Sequence, residues 1–216
     1  EARGQRERTD ILAILANATT EDGDKLSDNV IRADLITLML AGHETTATTL
    51  AWLLDLALHH PEVMAQLRGD IESGQTEYTQ AVINETLRLR PAAPVTGRMT
   101  VGRYRLGDYT LDPGTRIVLL LDAINRDPQA YPDPNEFRPE RFLGQRPHPY
   151  AWIPFGGGIK RCLGASFSMC EMTAMLQTML RHGDFQPVSE RLEAPSSRAA
   201  PVVVPRHGTR VYFTPS

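Results

Sequence analysis

The chain has 216 residues, with 23 Lys and Arg against 26 Asp and Glu, a net charge of −3 and a pI near 6.1. That balance, without a dense Lys/Arg run beyond the short basic opening EARGQRER, argues against a nucleic-acid partner. No apolar run reaches the roughly 18 residues of a membrane span and no apolar leader opens the chain, so a cytoplasmic protein without a membrane span is expected. At this length roughly 70% of the unfolded surface can be buried, which suits one domain, or part of one. The first residue is Glu, which suggests a start inside a longer protein.

In chain order, residues 10–18 read as a short helix, followed by the polar turn TTEDGDKLS. Residues 27–60 are then helical by periodicity, with Ser27 as the expected cap and Pro61 as the stop. Inside this segment stands AGHETTATTL, where Gly42 costs about 1 kcal/mol against Ala and the β-branched threonines add smaller penalties. Two readings are open for it: a kink with threonine hydroxyls bonded back to the preceding turn, or a groove in which a small residue lets a large group approach. Helices are predicted over 61–72 and 79–89. Short strand signals follow, RYRL and YTL around a GD turn, then TRIVLLL after a DPG turn, forming a small antiparallel element.

Residues 127–150 are proline-rich and lack periodicity, but Tyr131, Phe137 and Phe142 are anchors for an ordered irregular loop. A helix is predicted over 163–181 with Phe167, Met172, Leu176 and Met179 on one side. The tail segments PVVVP and RVYF suggest a closing hairpin. The expected class is mainly α with small antiparallel β elements, in a single region over 1–216.

FGGGIKRCLG, residues 155–164, is the most informative stretch. Its glycines let the backbone bend around a flat object, and Cys162 immediately precedes a helix, a setting for a nucleophilic or metal-ligating sulfur. A dinucleotide fingerprint starting at Gly156 would need glycine where Arg161 stands, and a triphosphate loop lacks its consecutive Gly, Lys and Ser/Thr. HETTA has Ala47 in place of the second histidine of a zinc-protease helix. The second cysteine, Cys170, falls on the predicted helix, where a disulfide to Cys162 is not expected.

The loop resembles the haem-thiolate signature of the cytochromes P-450, F-x-x-G-x-R-x-C-x-G, at Phe155, Gly158, Cys162 and Gly164, with Lys160 where the arginine is usual and Arg161 beside it. AGHETT resembles the family's oxygen-binding helix pattern, ETLR at 85–88 its E-x-x-R, and FRPERF at 137–142 the loop whose arginine joins that pair. E-x-x-R alone is weak, since such pairs often face solvent. Four motifs in order are strong. The resemblance implies the C-terminal portion of the P-450 fold, with the N-terminal half absent.

It further implies haem b with Cys162 as axial thiolate ligand of the iron, favouring O–O cleavage. Gly164, Ala165 and Ser168 would lie near the porphyrin, and Lys160 and Arg98 would meet its propionates. Ala41 and Gly42 would leave room for dioxygen, Thr45 would hold a water, and Glu44 would relay protons. His43 has no role, and Thr46, Thr48 and Thr49 are packing and back-bonding residues. Glu85, Arg88 and Arg141 would form a structural ion network, and Val95 and Thr96 would border the substrate. The implied activity is monooxygenation of a small apolar substrate with electrons from a ferredoxin and its reductase or a flavoprotein. The alternatives are a truncated inactive fragment or interaction module, and a haem-thiolate isomerase or peroxygenase, which Glu44 and Thr45 disfavour.

Overall fold

The computed structural model describes residues 8–145, 147–196 and 202–216, so most of the basic opening stretch, and Pro201 of the tail, lie outside the described residues. Two compact units divide the chain, Glu1–Glu44 and Thr45–Ser216. In the first, helix α1 (Ile11–Asn17) is capped by Asp10, whose carboxylate accepts the Ala13 amide at 3.0 Å. That amide, and then Arg8, hold the Asp10 carboxyl below the usual range. The polar turn closes through a Thr19–Lys25 bridge, and Lys25 donates to the Asn17 carbonyl at 2.9 Å.

Helix α2 (Asp28–Leu58) is one continuous run of 31 residues, about 46 Å at ~1.5 Å per residue. Ser27 caps it as expected, its hydroxyl accepting the Val30 amide at 3.4 Å. The threonine costs are offset locally: Thr37 donates to the Ala33 carbonyl at 2.8 Å and Thr49 to Thr45 at 2.9 Å. Thr46, Thr48 and Thr49 are buried, as packing residues should be.

In the second unit the core joins Leu50, Leu53 and Leu56 of α2 to helices α3 (Pro61–Glu72), α4 (Glu77–Leu89) and α6 (Ala165–Arg181). Asp70 of α3 caps α4 from a distance: its carboxylate accepts the Tyr78 amide, the Thr79 amide at 2.9 Å and the Thr79 hydroxyl at 2.6 Å. Local propensity cannot reveal such a cap. The buried face of α6 is Ala165, Met172, Leu176 and Leu180, whereas Phe167 is 69% exposed and Met179 is half-buried. That corrects the predicted face. Phe167 stands five residues before Met172, roughly 140° around a helix of ~3.6 residues per turn.

Strand β1 (Val95–Met99), which carries no strand signal of its own, pairs antiparallel with β4 (Arg116–Leu120), setting Arg98 opposite Ile117. The hairpin β2 (Tyr104–Leu106) and β3 (Tyr109–Leu111) turns at Gly107, where φ is +56°. After it, the DPG turn is gripped by Thr100, which bonds Asp112, Gly114 and Thr115. A short helix α5 (Leu121–Ile124) follows β4. Tyr131, Phe137 and Phe142 are buried, as anchors of the proline-rich segment are expected to be. Cys162 and Cys170 are free thiols.

Among the described residues the two tail segments pair with other strands and not with each other. Strand β7 (Val204–Pro205) pairs with β6 (Pro195–Ser196), and β8 (Val211–Pro215) pairs with β5 (Gly183–Pro187). Gly183 permits the second pairing, because a Cβ there would stand 2.4 Å from the Phe213 ring and 2.5 Å from the Thr214 carbonyl. Backbone cannot retreat from such a clash. Gly183→Ala is therefore expected to lower stability by about 1–3 kcal/mol in urea unfolding, the usual range for overpacking.

Candidate functional site

Glu85 and Arg88 lie three apart on α4, on one face of the helix, and both are completely buried. Arg88 forks onto the carboxylate, Nε to Oε2 at 2.6 Å and Nη2 to Oε1 at 2.8 Å. Its remaining protons go to the carbonyls of Asn125, Pro134 and Glu136 at 3.0, 2.7 and 3.1 Å. All five guanidinium donors are thus engaged, the condition under which a buried charge is tolerated. Glu85 also accepts the Arg138 amide at 2.8 Å, and Arg141 Nε stands 3.4 Å from its Oε1.

The segment between α5 and residue 141 is shaped by these bonds. Arg141 donates to the Asp133 carbonyl at 2.8 Å and Arg138 pairs with the Asp133 carboxylate at 3.0 Å. Asp133 has φ of +50°, a left-handed conformation that a non-glycine residue adopts only when its surroundings hold it. The Arg88 guanidinium lies 5.0 Å from the Tyr131 ring centre, and burial pushes the Tyr131 hydroxyl above its usual range.

From this network the chain runs into the cysteine loop. Trp152 donates its indole N–H to the Asn84 carbonyl of α4 at 3.0 Å, and Ile153 donates its amide to the Asn125 side chain at 3.4 Å. Gly156 and Gly158, at φ +67° and +66°, turn the backbone on either side of Gly157. A 3-10 turn, Gly158–Lys160, brings the chain back so that the Cys162 amide donates to the Phe155 carbonyl at 2.9 Å. Gly164 then caps α6. The Phe155 ring sits 6.0 Å from Trp152 and Trp152 6.2 Å from Phe142, an edge-on aromatic series that anchors the loop.

Cys162, Lys160, Gly158 and Gly164 are exposed on this loop, and Arg98 of β1 reaches it, donating to the Gly157 carbonyl at 3.2 Å. Arg161 is exposed as well. It lines a groove of about 600 Å³ along α6, with Trp152, Phe155, Ala165, Met169 and Cys170. On α2, Ala41, Gly42, His43 and Glu44 belong to the first unit and are exposed there, while Thr45 opens the second unit and is half-buried. Among the described residues no group of three or more His, Cys, Asp and Glu could hold a metal ion. Motif reading passed over Asn125, Asn84 and Trp152, because each of these bonds joins a side chain to a backbone atom distant in sequence.

The family model described as "Cytochrome P450" matches residues 1–213. The chain is 54% identical over 210 residues to "Putative cytochrome P450 137" of Mycobacterium tuberculosis, covering 97% of this chain and 44% of that protein. It is 38% identical over 206 residues to "Putative cytochrome P450 138" of Mycobacterium bovis, covering 95% and 46%. A third, "Putative cytochrome P450 135B1" of M. bovis, is 37% identical over 210 residues, covering 94% and 44%. The chain thus spans less than half the length of these relatives.

Removing one member of a buried, fully satisfied ion network typically costs about 3–5 kcal/mol. Arg88→Ala should show a loss of that size in denaturant unfolding, because three carbonyls then lose this donor and buried Glu85 keeps only the Arg138 amide and the more distant Arg141.

Proposed function

The chain belongs to the cytochrome P-450 family, and from that premise we propose that it is the haem-ligand, C-terminal portion of a haem-thiolate monooxygenase. The reaction would insert one oxygen atom of O₂ into a small apolar substrate, with electrons from a ferredoxin and its reductase or a flavoprotein. The observation that carries this reading is the exposed Cys162 on a loop whose backbone is tied by its own amide to Phe155, by Arg98 to Gly157, and at Ile153 through Asn125 to the buried Arg88.

The donor set suits haem. A single thiol stands on a loop where Gly157, Gly158 and Gly164 leave open space at the Cβ position, so a flat macrocycle meets no side chain from them. Arg98 and Lys160 are cations on or against that loop, suited to two carboxylates. When bound, haem supplies the redox chemistry of oxygen activation. Cys162 would hold it through its thiolate, and Phe155 would shield one side of the loop. On α2, Ala41 and Gly42 would keep bulk away from dioxygen, the Thr45 hydroxyl would hold a water by hydrogen bonding, and Glu44 would relay protons.

A second reading, a fragment that lacks activity by itself, is favoured by one observation. Met39 and Leu40 of α2 are 73% and 66% exposed, an apolar surface expected to be covered in a complete enzyme.

The deciding measurement is the absorption spectrum of the reduced, carbon-monoxide-bound protein after haem reconstitution, taken beside Cys162→Ser. A strongly red-shifted Soret band that the variant lacks is expected for thiolate ligation. Haem uptake by the longer parent protein but not by this chain would select the fragment reading. Lys160→Arg should tighten haem binding severalfold, because a guanidinium meets a carboxylate with two parallel hydrogen bonds where an ammonium offers a point charge. Haem titration would show this, and unchanged affinity would remove Lys160 from the site.

A further inference from the structure

Asn125 is a fully buried polar residue at the C-terminal end of α5. Burying an amide costs free energy unless its hydrogen bonds are made. Its Nδ2 has no hydrogen-bond partner among the described residues, so the cost is borne for the rest of the group. The rest has two distinct partners. Its backbone carbonyl accepts from Arg88 Nη1 at 3.0 Å, and its side-chain Oδ1 accepts from the Ile153 amide at 3.4 Å.

These bonds make Asn125 the junction between the buried ion pair and the cysteine loop. Beyond Ile153 the Gly156 amide donates to the Ile153 carbonyl at 2.9 Å, and the Cys162 amide donates to Phe155 at 2.9 Å. A continuous series of hydrogen bonds and short covalent steps therefore runs from Arg88 through Asn125 to Cys162. On the other side of Ile153, Trp152 is tied to α4 by its indole N–H at the Asn84 carbonyl. The entry to the loop is held twice, once from α4 and once from α5.

We infer that Asn125 is a positioning residue that fixes the entry of the cysteine loop to the Glu85–Arg88 pair and thereby sets where Cys162 is presented. The link is geometric and stands without haem; only its consequence for iron ligation rests on the proposed function. Oδ1 is the atom that matters, because it is the part of the side chain that has a partner.

The test is amide hydrogen exchange of the full chain, wild type against Asn125→Ala and Asn125→Asp. In Asn125→Ala the Ile153, Gly156 and Cys162 amides should exchange about tenfold faster, the factor expected for one ordinary hydrogen bond, while Leu67 in α3 is unchanged. Asn125→Asp keeps the acceptor and should restore wild-type exchange at Ile153. Unchanged exchange at the three amides in Asn125→Ala, or an increase matched at Leu67, overturns the inference. So does a failure of Asn125→Asp to restore protection, and this variant decides alone if Asn125→Ala does not fold. With haem added, Asn125→Ala should lose part of the red-shifted Soret band that Asn125→Asp retains; equal bands in both overturn the effect on Cys162. A wild-type chain without that band would favour the fragment reading of the proposed function and leave the exchange result standing.

Discussion

One buried guanidinium organises the second unit. Arg88 has five protons to place at a fully buried position, and it places two on Glu85 and three on carbonyls from Asn125 onward. Each carbonyl is held where Arg88 needs it, and Arg88 is held where the carbonyls need it. An irregular, proline-rich stretch with no ladder of its own acquires a single conformation in this way. The unusual backbone at Asp133 and the burial of Tyr131, Phe137 and Phe142 are consistent with it.

The cysteine loop is built on that platform. Its glycines bend the chain, but glycine permits many bends, and the choice among them comes from ties at Ile153, Gly157 and Cys162. Aromatic contacts through Trp152 and Phe142 fill the space behind Phe155. A thiol presented by a loop tethered at several points has little freedom to wander. Preorganisation of this kind is what a ligand to a bound group requires.

Helix α2 solves a different problem. Gly42 and four threonines weaken it locally, yet it remains continuous for 31 residues. Leu53, Leu56 and Trp52 lock its second half into the core, and Thr49 satisfies its own hydroxyl within the helix. Burying a Leu or similar side chain contributes about 1.5–3 kcal/mol, more than the propensity penalties it must offset.

The sequence by itself determined the helices other than the short α5 to within a few residues, the cap at Ser27, the stop at Pro61 and the family motifs. Each of these depends on neighbours a few positions apart, which the chain displays directly. The inward face of α6 was misread at Phe167, because apolar identity does not say which side a core lies on. Only the tertiary structure decided that β1 pairs with β4, that the tail strands pair with β5 and β6, and that Asp70 caps α4. It also decided that Asn125 joins Arg88 to Ile153. These contacts hinge on backbone carbonyls and amides, which every residue carries alike, so no side-chain pattern records which of them will meet.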